Sequence, residues 1–303
     1  MPKRVLVTGA HGFVGRHLLK LLQTRFDADA TGFDLTDAEA VRAGIAASRP
    51  EAVVHLAAIA APAAARADPD AAWRVNLHGT MNLARAVLAE APECMLLFAG
   101  SADAYGRSFA AGRKLDESAA LEPLNTYGAT KAAADLALGA MASEGLRVIR
   151  ARPFNHTGPG QTEAFVVAAF ARQVARITAG LQENVINVGA LDPLRDFLDV
   201  RDVCACYAAV LERAADLPPG LILNIASGQP RRIGDILRDL LEAGRVQAEI
   251  RTDTTRLRPS DIPLAAGDAS RARSLLGWAP RIPWTQTLAD VLADWCDRVR
   301  SEV

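Results

Sequence analysis

The sequence predicts an α/β fold, a doubly wound parallel sheet with a smaller α+β lobe attached, and three observations carry that expectation. An apolar run, Arg4 to Val7, meets Thr8-Gly9-Ala10-His11-Gly12-Phe13-Val14-Gly15 and continues into an amphipathic stretch ending at Leu22. Apolar strand-like runs then alternate with helical patterns as far as Arg150, as βαβ units do. Beyond Arg152 the chain turns Gly- and Pro-rich, and short strands mix with helices. The expected division is a sheet domain over residues 1–153 plus about 185–214, and a second domain over about 154–184 plus 215–303.

At 303 residues the chain is long enough to bury two cores. A net charge of −1 with 50% hydrophobic residues excludes a general nucleic-acid or membrane binder, so any charge that matters is local. The basic start, Lys3-Arg4, precedes too short an apolar run for a signal peptide, and no segment approaches about 18 apolar residues. Cys94, Cys204, Cys206 and Cys296 lack metal-ligand spacing; they read as buried or half-buried thiols of a reducing, cytoplasmic compartment, with no metal site.

Taken in order, the glycines between first strand and first helix allow backbone N–H groups to approach a pyrophosphate at the positive helix end. Gly9, Gly12, Phe13, Val14 and Gly15 are therefore candidate cofactor contacts, although the first gap is one residue longer than in the dinucleotide fingerprint. Ala30 to Phe33 reads as a second strand ending at Asp34-Leu35. A carboxylate there accepts from ribose hydroxyls and disfavours a 2′-phosphate, yet Asp34 can equally lie over the adenine edge while Arg16 holds such a phosphate. NAD and NADP both stay open.

A helix over Ala38 to Ser48 leads to a buried strand, Ala52 to Leu56, in which His55 reads as a hydrogen-bonded core residue. Leu56, Ala57 and Ala58 then bring small groups to the cofactor. Asp68 caps a long helix over Asp70 to Glu90, whose Asn76 either ties two βα loops together or caps a neighbouring backbone group. Cys94 to Phe98 is the fourth strand and delivers Ser101 to the ligand crevice.

Asn125-Thr-Tyr127-Gly-Ala-Thr-Lys131 sets a phenol and an amine four residues apart, on one face of a helix. A fixed ammonium and an oxidised nicotinamide favour the phenolate, and a drop of about 3 units corresponds to about 4 kcal/mol. Ser101 to polarise a carbonyl, Tyr127 to carry the proton and Lys131 to tune it make a coherent set. The rest reads as a fifth strand, Leu146 to Arg150, and a helix from Glu163 to Ala179. Val185 to Val188 and the Arg195 turn lead back to the first domain, with a helix from Asp199 to Arg213. A strand over Leu221 to Ile225 and helices over Ile233 to Ala243 and Trp284 to Val299 complete the smaller lobe.

This combination resembles the extended short-chain dehydrogenase/reductase family over nearly the whole chain: the glycine loop, mid-helix Asn76, Ser101-x-x-x-Tyr105-Gly106, and Tyr127-x-x-x-Lys131. Arg152-Pro-Phe-Asn155-His-Thr-Gly-Pro-Gly-Gln161, Arg195-Asp-Phe-Leu-Asp199-Val-Arg-Asp202 and Arg256-Leu-Arg258-Pro-Ser-Asp261 look like the GDP-4-keto-6-deoxy-D-mannose reductases of that family. The resemblance implies a Rossmann-type sheet domain, NAD or NADP, and reduction of a GDP-linked 4-keto-6-deoxy sugar to GDP-D-rhamnose. It puts Pro153 and Phe154 near the nicotinamide, and Asn155, Ser101, Ala102 and Asp103 at the substrate.

Arg195 and Arg258 are candidate phosphate forks and Asp261 an acceptor for ribose or guanine; Arg195 has the alternative of pairing with Asp196 or Asp199. The resemblance also implies a homodimer through the helices around 72–90 and 126–143. A nucleotide-sugar 4-epimerase, a dehydratase and a non-catalytic cofactor sensor are the alternatives. Two departures stand out: a strand-and-loop segment between the second and third strands is missing, and Ala102-Asp103 replaces the longer carboxylate and polar neighbour of the 4,6-dehydratases.

Overall fold

The computed structural model describes residues 2–254 and 262–302. The predicted substrate residues Arg258 and Asp261, with Arg256, lie outside the described residues. The chain opens with β1 (Arg4–Thr8), α1 (Phe13–Leu22), β2 (Asp27–Ala30), α2 (Ala38–Ser48) and β3 (Ala52–His55). Then come α3 (Pro62–Ala67), α4 (Pro69–Trp73), a π-helical segment (Arg74–Gly79), α5 (Thr80–Glu90), β4 (Met95–Ala99), α6 (Thr126–Ser143) and β5 (Val148–Pro153). The second half runs β6 (Asn155–Thr157), α7 (Val166–Thr178), β7 (Val185–Val188), β8 (Leu194–Asp199), α8 (Val200–Glu212), β9 (Ile222–Ile225) and β10 (Pro230–Arg232). It ends with α9 (Ile233–Ala243), β11 (Glu249–Thr252), β12 (Leu264–Ala265), α10 (Ser270–Leu276) and α11 (Trp284–Arg300).

The main sheet is parallel throughout, in the order β2-β1-β3-β4-β5-β9. Period-2 alternation sends Val5 and Val7 of β1 to one face and Leu6 to the other. On the first face Leu18 and Leu22 of α1 pack with Val203, Tyr207 and Leu211 of α8; on the second, α2, α5 and α6 contribute Ile45, Leu83 and Leu138. A doubly wound sheet with one strand fewer at the β2 edge than the usual Rossmann order matches the missing segment noted in the sequence. The helix starts follow capping chemistry: Asp37 accepts from Glu39 N and Ala40 N, and Asn125 from Gly128 N.

Four expectations need correction. The second strand is Asp27–Ala30, upstream of the stretch Ala30 to Phe33; on an edge strand only Ala28 is buried, so an Asp-Ala-Asp-Ala run suffices and carries no apolar signal. The helix expected over Asp70 to Glu90 is broken by its π-helical segment at Asn76. β7 does not return to the first domain but pairs with β11, and its Ile186 and Val188 enter the core of the smaller lobe with α7, α9 and α11. β9 leaves the smaller lobe and becomes the sixth strand of the main sheet beside β5.

His55 is buried in β3 with a hydroxyl at each ring nitrogen: Thr8 Oγ1 is 2.7 Å from Nδ1 and Thr80 Oγ1 is 2.9 Å from Nε2. Thr80 gives its proton to Asn76 O, so it receives from Nε2–H, and Nδ1 accepts from the Thr8 hydroxyl. That wiring accommodates one ring proton. Burial, helped by the nearby Lys131 charge, holds the imidazole neutral, down to about 3. The unfolded chain takes up a proton below about pH 6.5 and the folded chain does not, so this contribution to stability is lost as pH falls from there. Urea unfolding is expected to give about 2 kcal/mol less stability from His55 at pH 5 than at pH 7. His55→Gln removes that share of the difference; an unchanged pH difference in the variant contradicts the assignment.

Candidate active site

The chain leaves β1 for β2 on one side and returns to β3 on the other, which opens a crevice between the loops after β1 and β3. Gly9, with φ +69°, makes the turn out of β1, and a Cβ there would stand 2.7 Å from Ala57 N. A Cβ on Gly15 would stand 2.2 Å from Gly9 O, so the first turn of α1 lies directly on the loop. No side chain caps α1 at Gly12, which leaves its first N–H groups to an anion. Leu56, Ala57 and Ala58 border the opposite side, half-buried. A bare backbone donor set with small neighbours fits a dinucleotide diphosphate.

Other predicted cofactor residues are placed with more variety. Asp34 is exposed in the turn beyond β2, where its carboxylate accepts from Thr36 N and Oγ1 and is thereby held below the usual range. Leu35 is buried in the core, and Arg16 donates from Nε to His11 O at 2.9 Å. The ring of Phe13 stacks on His156, centroids 6.1 Å apart, and His17 Nε2 lies 2.8 Å from Pro159 O; the Gly/Pro-rich segment is latched onto α1. Val14 is half-buried beside it. Pro153 closes β5, and the ring of Phe154, expected near the nicotinamide, is buried against Tyr105 and Phe109.

Asn76 resolves its two alternatives. Its Oδ1 accepts from Ile59 N at 2.8 Å and its Nδ2 donates to Thr130 Oγ1 at 3.0 Å, so it ties the loop after β3 to α6. Thr130 in turn donates to Tyr127 O at 2.8 Å. The turn of α6 that carries the phenol is thus fixed to the loop that borders the crevice.

Ser101, Tyr127 and Lys131 come together at the carboxyl end of β4. Ser101 Oγ accepts from Asp103 N at 3.1 Å, and its hydroxyl acts on the Tyr127 phenol in the direction that lowers it. Lys131 is buried, donates from Nζ to Ala99 O at 2.8 Å and sits 5.0 Å over the Phe98 ring. Burial pulls its amine down to about 8, so it stays largely charged at neutral pH. Burial, then the Asp103 carboxylate, push Tyr127 above its ordinary value and outweigh the Ser101 hydrogen bond. With no bound ligand the phenol keeps its proton.

Beneath this cluster lies a buried polar network that the motifs do not reveal. Asp135, one turn after Lys131, is gripped by Arg152, Nε to Oδ2 at 2.9 Å and Nη2 to Oδ1 at 2.8 Å, and by Arg150 Nη1 at 3.0 Å. Arg152 Nη1 donates to the Tyr105 hydroxyl at 3.0 Å, which donates to Asn224 Oδ1 at 2.7 Å. Burial opposes the charge on Arg152, and the Asp135 bonds more than offset it. The arginine of the Arg152-Pro-Phe-Asn155 motif is therefore a core brace.

On the substrate side, β6 and β10 flank β8, with Asn155 opposite Phe197 and Arg231 opposite Arg195. Asn155 is exposed and Ala102 buried. Arg195 is half-buried: burial lowers its guanidinium and the Asp103 carboxylate raises it, which puts the two groups in each other's field. Asp196 is occupied by Ser227 N, Gly228 N and Gly267 N, and Asp199 by Arg201 and Thr287. Among the described residues no His, Cys, Asp and Glu cluster can hold a metal, and no helix is long and apolar enough to cross a membrane. All four cysteines are free thiols.

Comparison with known proteins gives the same assignment from outside. Residues 5–226 match the model of the NAD dependent epimerase/dehydratase family. The GDP-6-deoxy-D-mannose reductase of Pseudomonas aeruginosa is 37% identical over 100% of both chains. The GDP-6-deoxy-D-talose 4-dehydrogenase of Aggregatibacter actinomycetemcomitans is 28% identical, covering 90% of this chain and 91% of its own. Among solved structures, RMD from Pseudomonas aeruginosa complexed with NADPH superposes with a TM-score of 0.89 at 34% identity, covering 98% of this chain and 100% of its own. The Thermus thermophilus UDP-glucose 4-epimerase complex with NAD reaches 0.83 at 26% identity, covering 96% and 98%. A crevice built for a dinucleotide diphosphate and a family match across most of the sequence lead to one conclusion: this chain belongs to the NAD dependent epimerase/dehydratase family, within the extended short-chain dehydrogenase/reductases, and is an NAD(P)-dependent enzyme.

Proposed function

We propose that the protein reduces GDP-4-dehydro-6-deoxy-D-mannose to GDP-D-rhamnose, using NADH or NADPH. The observation that carries this reading is the fixing of the α6 turn that bears Tyr127 and Lys131, through Thr130 and Asn76 to the loop after β3 and through Lys131 Nζ to Ala99 O: it offers a phenol as the proton donor that reduction of a ketone needs. Similarity to a GDP-6-deoxy-D-mannose reductase along the whole chain supports the substrate. Ala102 offers no carboxylate for expelling a C6 hydroxyl, which disfavours a dehydratase.

Gly9, Gly12, Phe13, Val14 and Gly15 hold the cofactor diphosphate in this reading, Asp34 and Leu35 the adenosine end, and Leu56, Ala57, Ala58, Asn76 and Pro153 the remainder. When bound, the nicotinamide supplies a hydride to the sugar C4. Ser101 Oγ accepts from Asp103 N–H, and its hydroxyl proton, directed at the phenol in the free protein, turns to the ketone oxygen when the sugar enters. Tyr127 delivers the proton that completes the alcohol. Lys131, charged and anchored on Ala99 O, stabilises the phenolate left behind until solvent reprotonates it. Asn155 orients the sugar, and Arg195, with the predicted Arg258 and Asp261, takes the nucleoside diphosphate.

The protein works in this reading as a cytoplasmic homodimer. Free thiols at all four cysteines support a reducing compartment. On α6 the outward Leu136 is 61% exposed amid Ala129, Ala133, Ala137 and Ala140, an apolar face that a second copy would cover.

Two outcomes are expected. GDP-4-dehydro-6-deoxy-D-mannose drives stoichiometric loss of absorbance at 340 nm, and Tyr127→Phe lowers kcat by about 10²–10⁴-fold; turnover with tightly retained cofactor and no net oxidation supports a 4-epimerase instead. Sedimentation velocity at micromolar concentration gives a dimer that Leu136→Asp shifts to monomer, and a monomeric wild type contradicts the assembly.

A further inference from the structure

Asp34 is displaced from the strand end at which a carboxylate selects between dinucleotides. At the end of the second strand such a group accepts from the ribose 2′-hydroxyl and repels a phosphate on the same carbon. Here β2 stops at Ala30, and the last bond to β1 runs from Thr31 N to Val7 O at 3.1 Å. Asp34 lies beyond that point, between neighbours fastened to the α2 and α5 side of the sheet. The Phe33 ring rests on Gly44 of α2, where a Cβ would stand 2.3 Å from Cδ1, and Leu35 O accepts from Asn82 Nδ2 of α5 at 2.9 Å. The Asp34 carboxylate turns back on its own loop, Oδ1 accepting from Thr36 N at 2.8 Å and Thr36 Oγ1 at 2.9 Å. The other acids nearby are also placed away from the strand end. Asp37 caps α2, and Asp29, opposite Leu6 in the β1–β2 register, shares the α2 face and accepts from Ala30 N.

A cation takes the vacated position. Arg16, Lys20 and Gln23 follow one another at i, i+4 and i+7, so they form one stripe along α1. Gln23 fixes the direction of that stripe, because its Nε2 donates to Ala28 O of β2 at 3.4 Å. Helix α1 runs antiparallel to the strands it joins. From Gln23 back to Arg16 is about 10 Å of helix, and from Ala28 on to Thr31 is about 10 Å of extended chain in the same direction. Arg16 is therefore level with Thr31 and Gly32, on the β2 side of the glycine loop. Among the described residues its guanidinium is held by one bond, Nε to His11 O at 2.9 Å, which leaves both Nη groups to a ligand. Gly32 is exposed, and no atom lies within 4 Å of where its Cβ would stand. The end of β2 thus offers open space and a tethered guanidinium.

We propose that Arg16 is a specificity-determining residue that takes the 2′-phosphate of the cofactor, so that the protein prefers NADPH to NADH. Its fork meets the phosphate oxygens while the bond to His11 O keeps it at the loop. Asp34, committed to Thr36, does not read the ribose. This deepens the cofactor side of the proposed reduction; it rests on the dinucleotide crevice and is independent of the sugar.

The test is calorimetric titration of the full chain, without sugar, with NADPH and separately with NADH, for wild type, Arg16→Gln and Asp34→Asn. Wild type is expected to bind NADPH about tenfold or more tightly than NADH. Arg16→Gln is expected to bring NADPH to within about twofold of NADH and to leave NADH affinity as it was. Asp34→Asn is expected to keep the ratio of the two affinities within about twofold of the wild-type ratio, whatever it does to both together. Equal wild-type affinities overturn the proposal, as does an Arg16→Gln variant that loses both dinucleotides alike, which would confine Arg16 to bracing the loop. A ratio moved tenfold toward NADPH by Asp34→Asn also overturns it, because Asp34 would then read the ribose. Failure of the sugar reduction shows only when the sugar is added, so the two readings fail separately.

Discussion

The site depends on one buried carboxylate. Asp135 stands on α6 a single turn beyond Lys131, and its oxygens take hydrogen bonds from Arg150 and Arg152 of β5. An isolated ionised carboxylate would be costly in that interior, and removing one partner of a buried pair costs about 3–5 kcal/mol, so the pair locks the helix to the strand. Arg152 passes the constraint on through Tyr105, four residues beyond Ser101, and Asn224 of β9. Asn224 also donates to Leu115 O and Asp268 O, so the loop after the Ser101 turn and the segment ahead of α10 share the anchor. The register between a phenol on a helix and a hydroxyl on a turn is a consequence of this network.

A second set of contacts sets the crevice. Asn76 joins the loop after β3 to the α6 turn of Tyr127 by way of Thr130, and His55 fills the space behind with both ring nitrogens matched by threonines. The π-helical segment around Asn76 gives a physical reason for the break in an otherwise continuous helix: the amide must point into the βα loop, and the local widening of the helix allows it. Phe13 and His17 hold the Arg152-to-Gln161 segment over α1, and Gly160 N and Gln161 O are bound by Asp294 and Arg298 of α11. These contacts join the segment after β5 to α1 on one side and to α11 on the other.

Much of this was legible from residue order. The glycine turn, the four-residue spacing of Tyr127 and Lys131 and the Asp68 cap are local, and local geometry follows from local chemistry. Resemblance to a family carried the substrate class. What escaped was set by neighbours distant in sequence. Asp27-Ala-Asp-Ala is a strand only because β1 offers an edge; Leu221 to Ile225 looks the same whether it joins the large sheet or the small one; and Arg152 reads as a site motif until Asp135 is seen beneath it. Residue order is equally silent on the burial and the Asp103 carboxylate that raise the Tyr127 phenol, a pull opposite in sign to that of Lys131 and an oxidised nicotinamide.

These contacts converge on one arrangement, a phenol beside a dinucleotide crevice that serves ketone reduction with net consumption of cofactor. The most direct measurement uses NADPH or NADH deuterated at the transferred position of nicotinamide C4, with GDP-4-dehydro-6-deoxy-D-mannose, and reads the product by NMR. One deuterium at sugar C4 per product molecule is expected, with an equal amount of oxidised cofactor. A product without deuterium at C4, or conversion that leaves the cofactor reduced, contradicts it.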